Sequence, residues 1–60
     1  MLVAFLGSRK FVIEEDLPEV GSYMYVYDGD KCIRDYLQDS IDANKEFALC
    51  EFGVPLESWE

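Results

Sequence analysis

The side chains able to do covalent or proton-transfer chemistry are Ser8, Ser22, Ser40 and Ser58, the thiols of Cys32 and Cys50, and thirteen carboxylates, in a chain with no histidine. A serine or cysteine nucleophile needs a nearby base, and the usual one at neutral pH is imidazole. None of the serines sits in an elbow motif. Cys50 falls inside a helical stretch, away from the N-terminal end that would favour a thiolate. Paired carboxylates could act as acid and base, but a small core leaves little room for the dry cleft that would perturb them. The sequence therefore predicts no enzyme and no catalytic residue.

Metal and cofactor chemistry is equally thin. Cys32 and Cys50 stand eighteen positions apart with no histidine, which matches neither a zinc site nor a disulfide framework and reads as two reduced thiols. Asp28-Gly29-Asp30 lacks the further oxygen ligands and distal glutamate of a calcium loop. Gly7-Ser8-Arg9-Lys10 lacks the second glycine and the Lys-Ser/Thr ending of a phosphate loop. No cofactor and no metal are expected. Glu14-Glu15-Asp16 with Glu19 could meet a basic partner or a cation, although a charge run beside a loop is most often solvated.

What remains is recognition. Tyr23, Tyr25, Tyr27 and Tyr36, with Arg34 among them, are residue types enriched at protein interfaces. They require strands to line them up, and the sequence supplies these. Ser22 to Tyr27, Asp28-Gly29, then Asp30 to Leu37 reads as a β-hairpin with a type I′ turn at Asp28-Gly29. That turn sets Met24 opposite Ile33, Tyr25 opposite Cys32 and Tyr23 opposite Arg34. Met24, Val26, Ile33 and Leu37 then share the core face, and Tyr23, Tyr25, Tyr27, Cys32, Arg34 and Tyr36 the other.

Two earlier runs, Leu2 to Leu6 and Phe11 to Ile13, also read as strands, followed by a loop with Pro18 at its second turn position and Gly21 at its end. A helix is predicted from about Ser40 to Phe52, with Asp39 or Ser40 as N-cap, Asp42 in the first turn and Gly53 at the end, where Val54 can touch Leu49 before Pro55. At about 100° per residue it has two apolar faces: Ile41, Ala48 and Phe52 with Leu49 beside them, and Ala43, Phe47 and Cys50 opposite. The second is covered either by the tail carrying Trp59 or by another subunit.

Residues 1–60 are thus read as one small domain of α+β class, an antiparallel sheet of three or four strands in meander order with one C-terminal helix packed on one face. The expected core is Val3, Phe5, Val12, Met24, Val26, Ile33, Leu37, Ile41, Ala48 and Phe52. A chain this short buries only about 60% of its unfolded surface, so its core is small.

Five bases against thirteen acids give a formal charge of −8, which opposes binding to nucleic acid or anionic lipid and favours a basic partner. No stretch reaches the ~18 apolar residues of a membrane span. The apolar Met1 to Leu6 precedes its basic residues, the reverse of a secretory signal. A cytoplasmic protein is expected.

The stretch Tyr25-Val26-Tyr27, Asp35 to Ser40, Glu46-Phe47-Ala48, Glu51-Phe52-Gly53-Val54 and Trp59 resembles small uncharacterised bacterial proteins that share a strand, strand, helix and EFGV ending. The resemblance implies a fold and attaches no activity. The functional expectation is a non-catalytic protein-binding module, acting on a partner or on a second copy of itself, through Tyr23, Tyr25, Tyr27, Arg34, Tyr36, Phe47 and Trp59. The alternative is an acidic inhibitor or immunity-type protein that covers the basic site of a nuclease or other nucleic-acid-binding protein.

Overall fold

The computed structural model describes residues 1–15 and 20–60. Pro18, and Asp16 and Glu19 of the acidic run, lie outside the described residues. Four strands, β1 (Leu2–Leu6), β2 (Arg9–Glu15), β3 (Ser22–Asp28) and β4 (Lys31–Gln38), form one antiparallel sheet in the order of the chain. A helix, α1 (Ile41–Phe52), and a short 3-10 turn, Leu56–Ser58, follow. This is the expected α+β meander with a C-terminal helix on one face.

Both tight hairpins put a glycine with positive φ first in a two-residue turn. Gly7-Ser8 joins Leu6 to its partner Arg9, and Gly29-Asp30 joins Asp28 to its partner Lys31. The second turn corrects the expectation of a turn at Asp28-Gly29. A type I′ turn would force positive φ on Asp28, whereas sliding the turn by one residue leaves positive φ to glycine alone. Continued unbroken, that register would set Asp35 opposite Met24 on the buried face. A bulge intervenes: Tyr27 pairs with Cys32, but Val26 pairs with Arg34 and Met24 with Tyr36. The extra residue turns Asp35 outward and Tyr36 inward, avoiding a buried carboxylate without a partner.

The core consists of Ala4, Phe11, Ile13, Met24, Val26, Ala48, Val54 and Trp59, with Leu2, Ile33, Tyr36, Ile41, Phe47 and Phe52 packed around it. Met24, Val26 and Ala48 are buried as expected, and Ile33, Ile41 and Phe52 flank them. Val3, Phe5 and Val12 do share one face, but it is the face away from the helix, because Val12 pairs with Tyr25. Phe5 is 67% exposed and Leu37 51% exposed. Leu37 left the expected core because the bulge reversed its direction.

Helix α1 begins where Ser40 Oγ accepts the Ala43 amide at 3.1 Å. It ends at Gly53, in the left-handed region, with Val54 N–H donating to the Ala48 carbonyl at 3.2 Å. This closure drives Val54 into the core, while Leu49 stays exposed. The helix side bearing Phe47 is covered by Tyr36 of β4, with ring centroids 4.6 Å apart, and Phe52 packs at a tilt against Phe11, with centroids 5.3 Å apart. The tail folds back as one expectation had it, but along the sheet edge: Val3 and Glu60 exchange backbone hydrogen bonds of 2.9 and 3.0 Å, which sets Trp59 into the core.

Helix and sheet are also joined by a polar clasp. Asn44, fully buried, donates from Nδ2 to the Ser22 carbonyl at 2.8 Å and to Ser22 Oγ at 3.0 Å, and Ser22 Oγ donates to the Glu14 carbonyl at 3.4 Å. Asn44→Ala removes both bonds from the amide, although it also removes a buried Oδ1 that has no partner among the described residues, so it is expected to lower unfolding stability by about 1 kcal/mol. Urea unfolding measures this, and an unchanged midpoint would show that the clasp contributes nothing. Gly21 is the second sensitive point: at φ 110° a Cβ there would collide with the Gln38 carbonyl. Gly21→Ala is expected to destabilise the chain by more than Gly29→Ala, whose Cβ would meet open space.

Candidate functional site

The face of the sheet away from α1 is built from three rows of register partners. One row runs Phe5, Lys10, Tyr27, Cys32; the next Val3, Val12, Tyr25, Asp35; the third Glu14, Tyr23, Leu37. Strand alternation brings them to one side, because Met24 and Val26 take the other. No described element packs on this face. Its centre is apolar and aromatic, with Val12 buried beneath its neighbours and Tyr23, Tyr25 and Tyr27 half-buried.

Of the residues singled out from sequence, the structure brings together Tyr23, Tyr25 and Tyr27. It removes the others for identifiable reasons. Tyr36 points to the helix and packs on Phe47 and Phe52. Phe47 is thereby occupied inside the molecule. Arg34 sits at the bulge opposite core-facing Val26, and its Nη1 donates to the neighbouring Ile33 carbonyl at 3.0 Å. Trp59 is buried in the core. In their place the face gains Val3, Phe5, Lys10, Val12 and Glu14, brought there by the pairing of β2 with β3, and Asp35 and Leu37, brought there by the bulge in β4.

The aromatic row has internal order. Tyr23 and Tyr25 lie with ring centroids 6.2 Å apart and planes 15° from parallel. Lys10 Nζ sits 5.0 Å from the Tyr27 ring centroid, a cation–π contact. Partial burial, then the negative charge of Glu14 and the neighbouring Tyr23, Asp35 and Tyr27, push the Tyr25 hydroxyl above the ordinary phenol value of 10.0.

Elsewhere the chemistry is sparse. A depression of about 280 Å³ on the outer side of the helix is lined by Asp42, Lys45, Glu46 and Leu56. It is open to solvent and three of its four lining residues are charged, unlike an enclosed apolar ligand cleft. Among the described residues no three or more cysteine and carboxylate side chains converge as a metal site would require. Cys32 and Cys50 are exposed free thiols.

A raised phenol favours the protonated form in the folded state, so its contribution to stability is complete below 10.0 and is lost as pH rises through the folded value. Followed by the carbon-13 shift of its ring, Tyr25 is expected to titrate above a free tyrosine amide in the same buffer. Glu14→Gln is expected to lower that midpoint. A midpoint at or below the reference would mean that Tyr25 is neither covered nor flanked by carboxylates.

Comparison of the chain with protein-family models, with curated proteins and with solved structures finds no match.

Proposed function

We propose that the chain is a non-catalytic protein-binding module whose contact surface is the outer face of the sheet. One observation carries this reading: Leu37, 51% exposed, borders an aromatic row that no described element covers, and Phe5, 67% exposed, lies on the same face beyond Lys10 and Val12. Contiguous apolar surface rimmed by polar residues marks interaction sites. Tyrosine contributes wide contact area at low entropic cost, which is why it is enriched there. The expected interface is kept for Tyr23, Tyr25 and Tyr27 and moved from Arg34, Tyr36, Phe47 and Trp59 to the side chains that accompany the tyrosines.

A second reading, an acidic inhibitor or immunity-type protein that covers the basic site of a nuclease or other nucleic-acid-binding protein, is supported by the formal −8 charge. It requires affinity that falls steeply with salt. A cytoplasmic setting suits either reading, because exposed free thiols persist in reducing compartments.

Site-specific crosslinking tests the surface. A photoreactive phenylalanine at Leu37, and a control at Glu46 on the helix, would be incorporated in cells of the host that makes the protein. The expected result is a discrete protein adduct from Leu37 that excess unlabelled chain competes away, with none from Glu46. An adduct of twice the chain mass identifies a second copy as the partner. Identical adducts from both positions, or none from Leu37, contradict the proposal.

A further inference from the structure

The outer face has two unlike ends. At one, the row already holds a cation, since Lys10 lies over Tyr27. At the other, Tyr23 and Tyr25 present near-parallel rings, with Glu14 the register partner of Tyr23 and Asp35 that of Tyr25. The strand order of these partners places one carboxylate on either side of the ring pair, Glu14 from β2 and Asp35 from β4. The register sets Glu14 directly across from Tyr23 and Asp35 directly across from Tyr25 on the same face of the sheet. Ring faces attract cations and carboxylates accept their N–H groups.

Resting on the module reading above, we infer that Tyr23, Tyr25, Glu14 and Asp35 form a receptor for a basic side chain of the partner protein, an arginine guanidinium before a lysine ammonium. The guanidinium is planar, stacks on aromatic rings and spans carboxylates with a fixed fork of donors, which a point-like ammonium does not. Lys10 over Tyr27 shows the same row performing half of this recognition within the chain.

Charge selects a basic protein over a second copy. Each copy carries −8, so self-association sets two strongly acidic bodies against each other, whereas a basic partner is attracted to the face.

The test uses isotope-labelled full chain and three capped pentapeptides: Gly-Arg-Gly-Arg-Gly, its lysine counterpart, and a twin with citrulline, which keeps the shape of arginine without its charge. The arginine peptide is expected to shift the ring signals of Tyr23 and Tyr25 and the carboxyl signals of Glu14 and Asp35 saturably, the lysine peptide more weakly, and the citrulline twin not at all. Glu14→Gln with Asp35→Asn is expected to weaken the arginine peptide by about threefold to tenfold, whereas Glu46→Gln with Glu51→Gln leaves it unchanged. Equal shifts at Asp39, Asp42, Glu46 and Glu51, or a citrulline response matching arginine, would overturn the receptor. The same signals moving with chain concentration in the absence of peptide would overturn it in favour of a second copy. A Leu37 adduct with no arginine response removes the receptor and leaves the module standing; failure of both removes both.

Discussion

One helix of twelve residues can cover only one face of a four-stranded sheet. A strand sends alternate side chains to opposite faces, so every strand residue that packs beneath α1 has neighbours on the far side. Here those neighbours are Val3, Phe5, Val12, Tyr23, Tyr25, Tyr27, Cys32 and Leu37, with Lys10, Glu14 and Asp35 the charged residues among them. An antiparallel sheet with one solvated face ordinarily carries polar side chains there. The far face of this one is largely apolar and aromatic, and the functional argument follows from that departure.

The division into faces is held by few devices. Beyond Gly29-Asp30, the bulge between β3 and β4 decides that Tyr36 goes in and that Asp35 and Leu37 go out. At the far end of β3, Ser22 and Asn44 tie the strand to the helix through two hydrogen bonds from one amide. Such a bond pattern tolerates only one placement of the helix against the strand, because a slip would strand buried polar groups. The Val3–Glu60 bridge closes the opposite border and locks Trp59 inside. Packing under the helix and openness of the far face are therefore two results of one set of registers.

The element order, the helix with its Ser40 and Gly53 ends, and the inward pair Met24 and Val26 were legible in the sequence, because each depends on signals a few residues apart. The faces of the other strands were not. Moving the two-residue turn from 28-29 to 29-30 changes every partner in β4 but leaves each side chain on its face, whereas the bulge reverses the face of the residues beyond Ile33. Val3, Phe5 and Val12 were correctly grouped and placed on the wrong side, since the parity linking β2 to β3 is set by pairing across a loop rather than by either strand alone. Tyr36, Phe47 and Trp59 looked like interface residues because aromatic side chains suit cores and contact surfaces equally. Ser22 and Asn44 fell at positions that strand alternation and helical spacing with Ile41 and Ala48 mark as inward, but a buried amide is recognisable only once its partner is known.

The central claim is that, in the free chain, Phe5 and Leu37 on the outer face stand in water while Phe11, Met24 and Val26 on the helix face do not. Relaxation of side-chain signals by a soluble, uncharged paramagnetic probe reads this directly in dilute solution. The account predicts strong relaxation for the ring of Phe5 and the methyl groups of Leu37, with Phe11, Met24 and Val26 protected. Protection of the first set, or strong relaxation of the second, would contradict it.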